Sequence, residues 1–115
     1  MSKRTLRLYL EDIMTAITQI ESYTRGMTRE AFMRDAKTID AVVRNIEILG
    51  EAAKHIPDAW KVKYPAIPWK QIAGTRNKVI HEYFSVDEAI LWQTIQEDIP
   101  RLKDEMQQAL RTKNS

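Results

Sequence analysis

Apolar residues recur along this chain at alternating intervals of three and four residues, and this spacing constrains the fold more than any other feature of the sequence. The first stripe, within residues 2–25, consists of Leu6, Leu10, Ile13, Ile17 and Ile20. Such spacing gathers apolar side chains on one face of an α-helix. The stripe therefore predicts a helix that packs this face into a core and ends at Gly26.

The next segment repeats the pattern. Thr28 is expected to cap a short helical turn to about residue 34, because its hydroxyl can accept a hydrogen bond from a free N–H of the first turn. Asp35 is expected in the same way to start a long helix over residues 35–55. Pro57 should end this helix, which we expect to pair antiparallel with the first.

The middle of the chain mixes aromatic residues with lysines. A short helix is predicted from Asp58, followed by a turn; the residues concerned include Trp60, Lys61, Lys63, Tyr64, Trp69 and Lys70. The rings could stack nucleobases while the lysines hold phosphates, as in proteins that bind single strands. Alternatively, the rings close one end of a helical bundle and the lysines lie in solvent. The second interpretation is preferred.

The last third of the chain predicts two more helices. Pro68 suits the first position of a helix running to about residue 84. Ser85 and Glu88 have the spacing of a capping box, so another helix should begin there. Its apolar stripe includes Ile90, Leu91, Ile95, Ile99, Leu102, Met106 and Leu110.

Proline interrupts this last stripe. Pro100 removes one backbone donor and clashes with the preceding turn, so a kink is expected near Gln96. Residues 111–115 are expected to form a frayed polar tail. The chain as a whole, residues 1–115, is predicted to be a single all-α domain, an up-and-down bundle of four main helices plus short ones.

Composition limits the classes of function. Eighteen basic and sixteen acidic residues leave a formal net charge of +2, so any affinity for nucleic acid must come from local clustering. The absence of cysteine excludes disulfides and thiolate metal sites and suits the cytoplasm. His55 lies near a predicted helix end without a second histidine at ligand spacing, so no metal site is predicted. No hydrophobic stretch indicates export or a membrane span.

Residues 74–87 hold the residues best suited to chemistry: Arg76, Asn77, His81 and Tyr83. They offer a permanent cation, an imidazole that titrates near neutrality and a phenol, which suits reactions at phosphate. His81 could accept the proton of an attacking ribose 2′-hydroxyl or donate one to the leaving oxygen. Arg76 would stabilise the developing charge, and Asn77 could orient the histidine. No metal or other cofactor is required.

The predicted helix separates the two charged groups. Arg76 and His81, five residues apart on a straight helix, project about 140° apart around its axis. A second copy of the helix would bring an arginine and a histidine to one phosphate, which suggests a two-fold dimer. A purely structural interpretation also stands, in which Arg76 pairs with Glu47 or Glu51 and the histidine and tyrosine belong to the core.

These residues carry a family resemblance. Arg76-Asn77-x3-His81-x-Tyr83 resembles the Arg-x4-6-His signature of the HEPN superfamily, in the form of its HepT-like branch. Residues 41–53 (AVVRNIEILGEAA), Ile67-Pro68-Trp69 and residues 83–87 (YFSVD) are similar to that branch in the same order. The resemblance covers about residues 35–110, with the first helix also as expected.

The resemblance implies a HEPN-like bundle, a homodimer with facing motifs, and a metal-independent endoribonuclease with Arg76 and His81 as its catalytic pair and Asn77 in support. It also implies that the enzyme is the toxin of a type VII HEPN/MNT toxin–antitoxin system. The partner would be an MNT-type nucleotidyltransferase, in a dimer or larger hetero-oligomer, that transfers AMP onto Tyr83 and silences the nuclease.

Two other classes remain open. The chain could be a catalytically inactive HEPN module that binds a nucleotide or a partner through Arg76 and His81. It could also be a structural helical-bundle dimer. Loss of RNA cleavage in His81→Ala would separate the enzyme from both.

Overall fold

The computed structural model describes residues 3–65, 67, 69–70, 72–74, 80–81, 85–86 and 88–114, with backbone only at 3–5, 80–81, 85–86, 109 and 112–114. Within these residues the protein is helical apart from one short hairpin, which confirms the all-α fold class. The helices are α1 (Lys3–Thr24), α2 (Arg29–Met33), α3 (Ala36–Lys54), α4 (Asp58–Lys63), α5 (Glu88–Gln93) and α6 (Ile99–Asn114). None of those described is long and apolar enough to cross a membrane.

Helices α1 and α3 form the main pair of the bundle. The ring of Tyr9, near the start of α1, stacks on His55, which follows α3, with 4.9 Å between centroids and 12° between planes. The two helices therefore run antiparallel, as predicted. The apolar stripes read from the sequence face each other across this pair; their fully buried members are Ile13, Ile17, Ile20, Val42, Ile46 and Leu49.

The boundaries of the first helices follow from local chemistry. Gly26 has a φ of +76°, a left-handed conformation that costs glycine little and ends α1. The Thr28 hydroxyl accepts a hydrogen bond from the Ala31 N–H at 3.1 Å and caps α2. Asp35 Oδ1 accepts one from the Thr38 N–H, also at 3.1 Å, and caps α3. Both predicted caps are confirmed.

A second layer covers the α1–α3 pair. Phe32 of α2 is fully buried and its ring lies 5.1 Å from that of Trp92 in α5. Lys103 of α6 forms an ion pair with Glu21 of α1 at 2.8 Å, between two partly exposed side chains. The buried apolar residues of all these helices form one cluster.

A π-helical segment, Thr94–Asp98, joins α5 to α6. The Ile99 N–H donates to the Thr94 carbonyl, five residues back, where an α-helix would use the residue four back. The hydrogen-bond pattern of the helix is therefore irregular around Gln96, the position at which the kink is expected, through one inserted residue. We expect this insertion to relieve the clash that the Pro100 ring would make with the preceding turn in a continuous α-helix.

Three predicted boundaries are wrong. Ile80–His81 and Ser85–Val86 are short strands, β1 and β2, paired antiparallel with His81 opposite Ser85, so no helix runs to residue 84. Ser85 lies in a strand and α5 begins at Glu88, so Ser85 is not its cap. Residues 111–114 belong to α6, because lysine and arginine sustain a helix and no breaker precedes its end.

Candidate functional site

Of the four predicted active-site residues, only His81 lies within the part of the chain that the structure describes. The backbone of His81 forms part of β1, paired with Ser85 of β2. Arg76, Asn77 and Tyr83 lie outside the described residues, so neither their proposed grouping nor the alternative pairing of Arg76 with Glu47 or Glu51 is tested. Because His81 is in a strand, the 140° separation from Arg76 on a straight helix does not apply. The argument for a dimer from that geometry fails with it.

A rigid cluster of aromatic rings anchors the chain just before this segment. Trp69 packs edge-on against Trp60 of α4, with 5.5 Å between ring centroids, and its indole N–H donates to the Tyr64 carbonyl at 3.2 Å. Trp60 also contacts the ring of Tyr64 at 4.4 Å. Both tryptophans are at least nine-tenths buried. The rings therefore close one end of the bundle, as the preferred interpretation states.

The same core holds the chain on both sides of the motif. Residues 69, 70 and 72–74 are helical, and Ile72 is buried. After the hairpin, Leu91 of α5 is fully buried in the same cluster. The chain that carries the predicted site residues is thus flanked on both sides by apolar side chains that are buried in the core. Attachment to a scaffold in this way is how loops hold functional groups in register.

A cavity of about 440 Å³ between α1 and α3 is lined by His55, the other of the two histidines of the chain. Its lining includes Tyr9, Asp12, Arg44, Glu47, Glu51 and His55. Imidazole Nε2 of His55 lies 3.4 Å from a carboxylate oxygen of Glu51. Within the described residues no three carboxylates, imidazoles or thiols are grouped as a metal site would require.

A second cavity, of about 610 Å³, adjoins the aromatic cluster. It is lined by Lys54, Asp58, Lys61, Trp69, Lys70 and Ala73, and we call it the lysine cavity. These residues come from the end of α3, from α4 and from the helical residues 69, 70 and 73, which precede the motif. The sequence alone indicated Lys61 and Lys70 but not Lys54. It missed Lys54 because nothing local shows that the end of α3 lies beside residues 69–73.

The sequence of this chain matches a known protein family over most of its length. The model of the family described as "Ribonuclease HepT-like" matches residues 13–109. The chain belongs to the HepT-like ribonuclease family. The resemblance read from the motif is confirmed, and the match spans all described helices except parts of α1 and α6.

Relatives with similar descriptions cover most of the chain. "Probable ribonuclease HepT" of Thermococcus cleftensis is 52% identical over 101 residues, which are 88% of this chain and 92% of that protein. "Putative RNase TTE0752" of Caldanaerobacter subterraneus is 40% identical over 93% of this chain and 96% of its own. "Putative RNase MJ1380" of Methanocaldococcus jannaschii is 36% identical over 93% and 98%. No solved structure gives a significant match.

Proposed function

We propose that this chain is a metal-independent endoribonuclease, the toxin of a type VII HEPN/MNT toxin–antitoxin system, and that AMP transfer onto Tyr83 silences it. Membership of the HepT-like ribonuclease family carries the proposal, together with Arg76, His81 and Tyr83 at the spacing of the family motif. The names of the relatives as ribonucleases support RNA as the substrate.

The proposed reaction is an internal transesterification. An imidazole nitrogen of His81 removes the proton of a ribose 2′-hydroxyl, whose oxygen forms a bond to the adjacent phosphorus. The bond from phosphorus to the 5′-oxygen breaks, and that oxygen takes a proton. The products are a 2′,3′-cyclic phosphate and a 5′-hydroxyl end. Arg76 stabilises the charge on the phosphoryl oxygens, and Asn77 orients the imidazole.

A homodimer with facing motifs would divide the two proton transfers between two histidines. One neutral His81 would act as base while the protonated His81 of the partner subunit acts as acid. The family resemblance supports this arrangement. Among the described residues, the two strands of the hairpin pair only with each other, and such an element leaves backbone edges that a second copy can approach.

Silencing would act through the same segment. The partner nucleotidyltransferase would transfer AMP from ATP to the phenol oxygen of Tyr83, forming an oxygen–phosphorus bond and releasing pyrophosphate. Tyr83 is two residues from His81, within the connection between β1 and β2. A bulky anionic group there would compete with the RNA phosphate for Arg76 and block the approach of the substrate.

RNA cleavage in the presence of a metal chelator tests the enzyme. His81→Ala is expected to lower the rate by about 10²- to 10⁴-fold, the usual contribution of a general acid–base group. His55→Ala is the matched control, because the chain has two histidines and His55 lies in the cavity between α1 and α3. Equal rates for wild type and His81→Ala, or no cleavage by the unmodified wild type, would leave the binding-module alternative.

The mass of the intact protein tests the silencing. The chain is expressed alone and together with the nucleotidyltransferase encoded beside it. Co-expression should add whole AMP units that map to Tyr83, and Tyr83→Phe should gain none. If co-expressed protein keeps its unmodified mass while its cleavage is inhibited, the partner acts by masking and the proposed modification is wrong.

A further inference from the structure

The lysine cavity has the composition of an anion-binding site. Three of the side chains that line it end in ammonium groups, those of Lys54, Lys61 and Lys70. Asp58 supplies its one carboxylate among the described residues. The cavity thus carries two net positive charges, as many as the whole chain. The local clustering that nucleic-acid affinity requires in a nearly neutral protein is found here.

Within the part of the chain that the structure describes, little of the positive charge of the lysine cavity is paired with carboxylates. Among the described residues, neither Lys61 nor Lys70 forms an ion pair, and the contact of Lys54 with Glu51 is long, 3.8 Å, between two side chains that are more than half exposed. Such exposed pairs contribute little and exchange readily for a stronger anion. A phosphate entering the cavity would therefore displace few existing interactions.

Two further cavities among the described residues carry no net positive charge. One, of about 450 Å³, has a single cation, Arg29, and a single carboxylate, Glu97. The cavity between α1 and α3 has the opposite character to the lysine cavity. Between α1 and α3, Arg44 and His55 face three carboxylates, those of Asp12, Glu47 and Glu51. An RNA backbone would be repelled there. Charge therefore favours the lysine cavity as the place where a polyanion binds.

Trp69, the one aromatic residue among the described residues that line the lysine cavity, is poorly placed for base stacking. Trp69 is only 9% exposed, with its ring packed on Trp60 and its N–H bonded to the Tyr64 carbonyl. Stacking needs an open ring face. The part of the ligand that this cavity can recognise is the sugar–phosphate backbone.

The cavity is also close to the motif along the chain. Ala73 lines it and precedes Arg76 by three residues, and three residues of polypeptide span at most about 11 Å. A single strand whose phosphate reaches Arg76 can therefore extend over the lysines. Lys54 and Lys61 come from α3 and α4, so the surface is built by the bundle and does not depend on the hairpin alone.

We propose that the lysine cavity binds phosphates of single-stranded RNA next to the cleavage site. This inference rests on the proposed function and adds to it the surface that holds the substrate outside the motif. Binding there is independent of base sequence and strongly dependent on salt, because ammonium–phosphate contacts release counterions from the strand. The lysines affect the binding of long RNA more than the chemical step.

The test compares two double variants of equal charge. Lys61→Gln/Lys70→Gln removes two charges from the cavity, and Lys37→Gln/Lys63→Gln removes two exposed charges outside it. Each is placed in the His81→Ala background, and its affinity for a labelled single-stranded RNA is measured between about 0.05 and 0.2 M salt. Each ammonium–phosphate contact to a single strand contributes about 0.7 to the slope of log affinity against log salt. The cavity variant loses two such contacts, so it should lower this slope by about 1.4 and the affinity at 0.1 M salt by about 25-fold.

The control should keep nearly the wild-type slope. Equal losses in the two double variants, or none in the cavity variant, overturn the inference. With His81 intact, the cavity variant should raise KM for long RNA and leave kcat within about twofold, whereas lysines that act in the chemical step would lower kcat. If the wild type neither binds nor cleaves RNA, the proposed function itself fails; if it cleaves and the cavity variant behaves as the control, only the cavity inference fails.

Discussion

Single side chains decide where the helices of this protein begin, and Asp35 is the clearest case. Its carboxylate accepts a hydrogen bond from the Thr38 N–H at the first turn of α3. That backbone hydrogen bond, assisted by the Thr38 side chain and by Lys37, holds the pKa of Asp35 below its ordinary value. The charged form of Asp35 is therefore favoured by folding.

The sign of the pH dependence follows from this shift. A lowered pKa in the folded state means that Asp35 adds stability above the pKa of the unfolded chain, about 3.9, and loses it as the pH falls through the folded value. In Asp35→Asn the amide oxygen still caps the helix but carries no charge. In urea unfolding, the wild type should have a higher free energy of unfolding than Asp35→Asn at pH 7, and this difference should shrink at about pH 3. A difference that stays constant with pH would contradict the charged cap.

At the scale of the element, the π-helical segment explains the spacing of the last apolar stripe. Leu91 and Leu110 are nineteen residues apart and both pack on the core, whereas five α-turns take about eighteen residues. The residue inserted in the π-helical segment accounts for this difference of about one residue, and Met106 and Leu110 remain on the inner face. We also expect it to move Pro100 away from the turn with which its ring would clash.

The π-helical segment has two proposed roles, in the spacing of the apolar stripe and in the accommodation of Pro100. Deletion of Gln96, an exposed residue of this segment, tests them separately. The deletion should restore an α-helix with an unbroken apolar face but expose the proline clash, which costs about 3 kcal/mol in a helix interior. In the Pro100→Ala background the same deletion should be nearly neutral. Urea unfolding of the four proteins measures the coupling; an equal cost in both backgrounds would mean that Pro100 does not require the π turn.

At the scale of the whole molecule, short elements depend on the core that the long helices build. Helix α2 has only five residues, too few to be stable alone, yet its Phe32 is fully buried against α5. Its contacts with residues far along the chain therefore stabilise α2. The same holds for the helical residues 69, 70 and 72–74, whose Trp69 and Ile72 reach the common core.

Phe32→Ala should accordingly lower the free energy of unfolding by about 3–5 kcal/mol, because it removes a buried ring and leaves a cavity. Val62→Ala, at a position that is 77% exposed, is the control and should change it by less than about 0.5 kcal/mol. Chemical denaturation measures both. A loss below about 1 kcal/mol for Phe32→Ala would mean that α2 is not part of the cooperative core.

The hairpin shows where local reasoning failed. This stretch is rich in β-branched and aromatic residues, which favour strands: Val79, Ile80, Tyr83, Phe84 and Val86. The expectation of a continuous helix after Pro68 outweighed this composition. A signal for β1 and β2 was therefore present in the sequence. The pairing of His81 with Ser85 could not be read from it, because register depends on the connection between two strands.

The sequence by itself determined the helical class, the bounds of α1 to α3 to within one or two residues, the start of α4, both early caps and the motif that led to the HepT-like family. Each of these depends on spacing and capping within a few residues of chain. Only the tertiary structure decided that Trp60 and Trp69 are buried and that Lys54 lies beside Lys70 at one cavity. These facts depend on how distant elements pack, and periodicity indicates which face of a helix is buried without indicating what covers it.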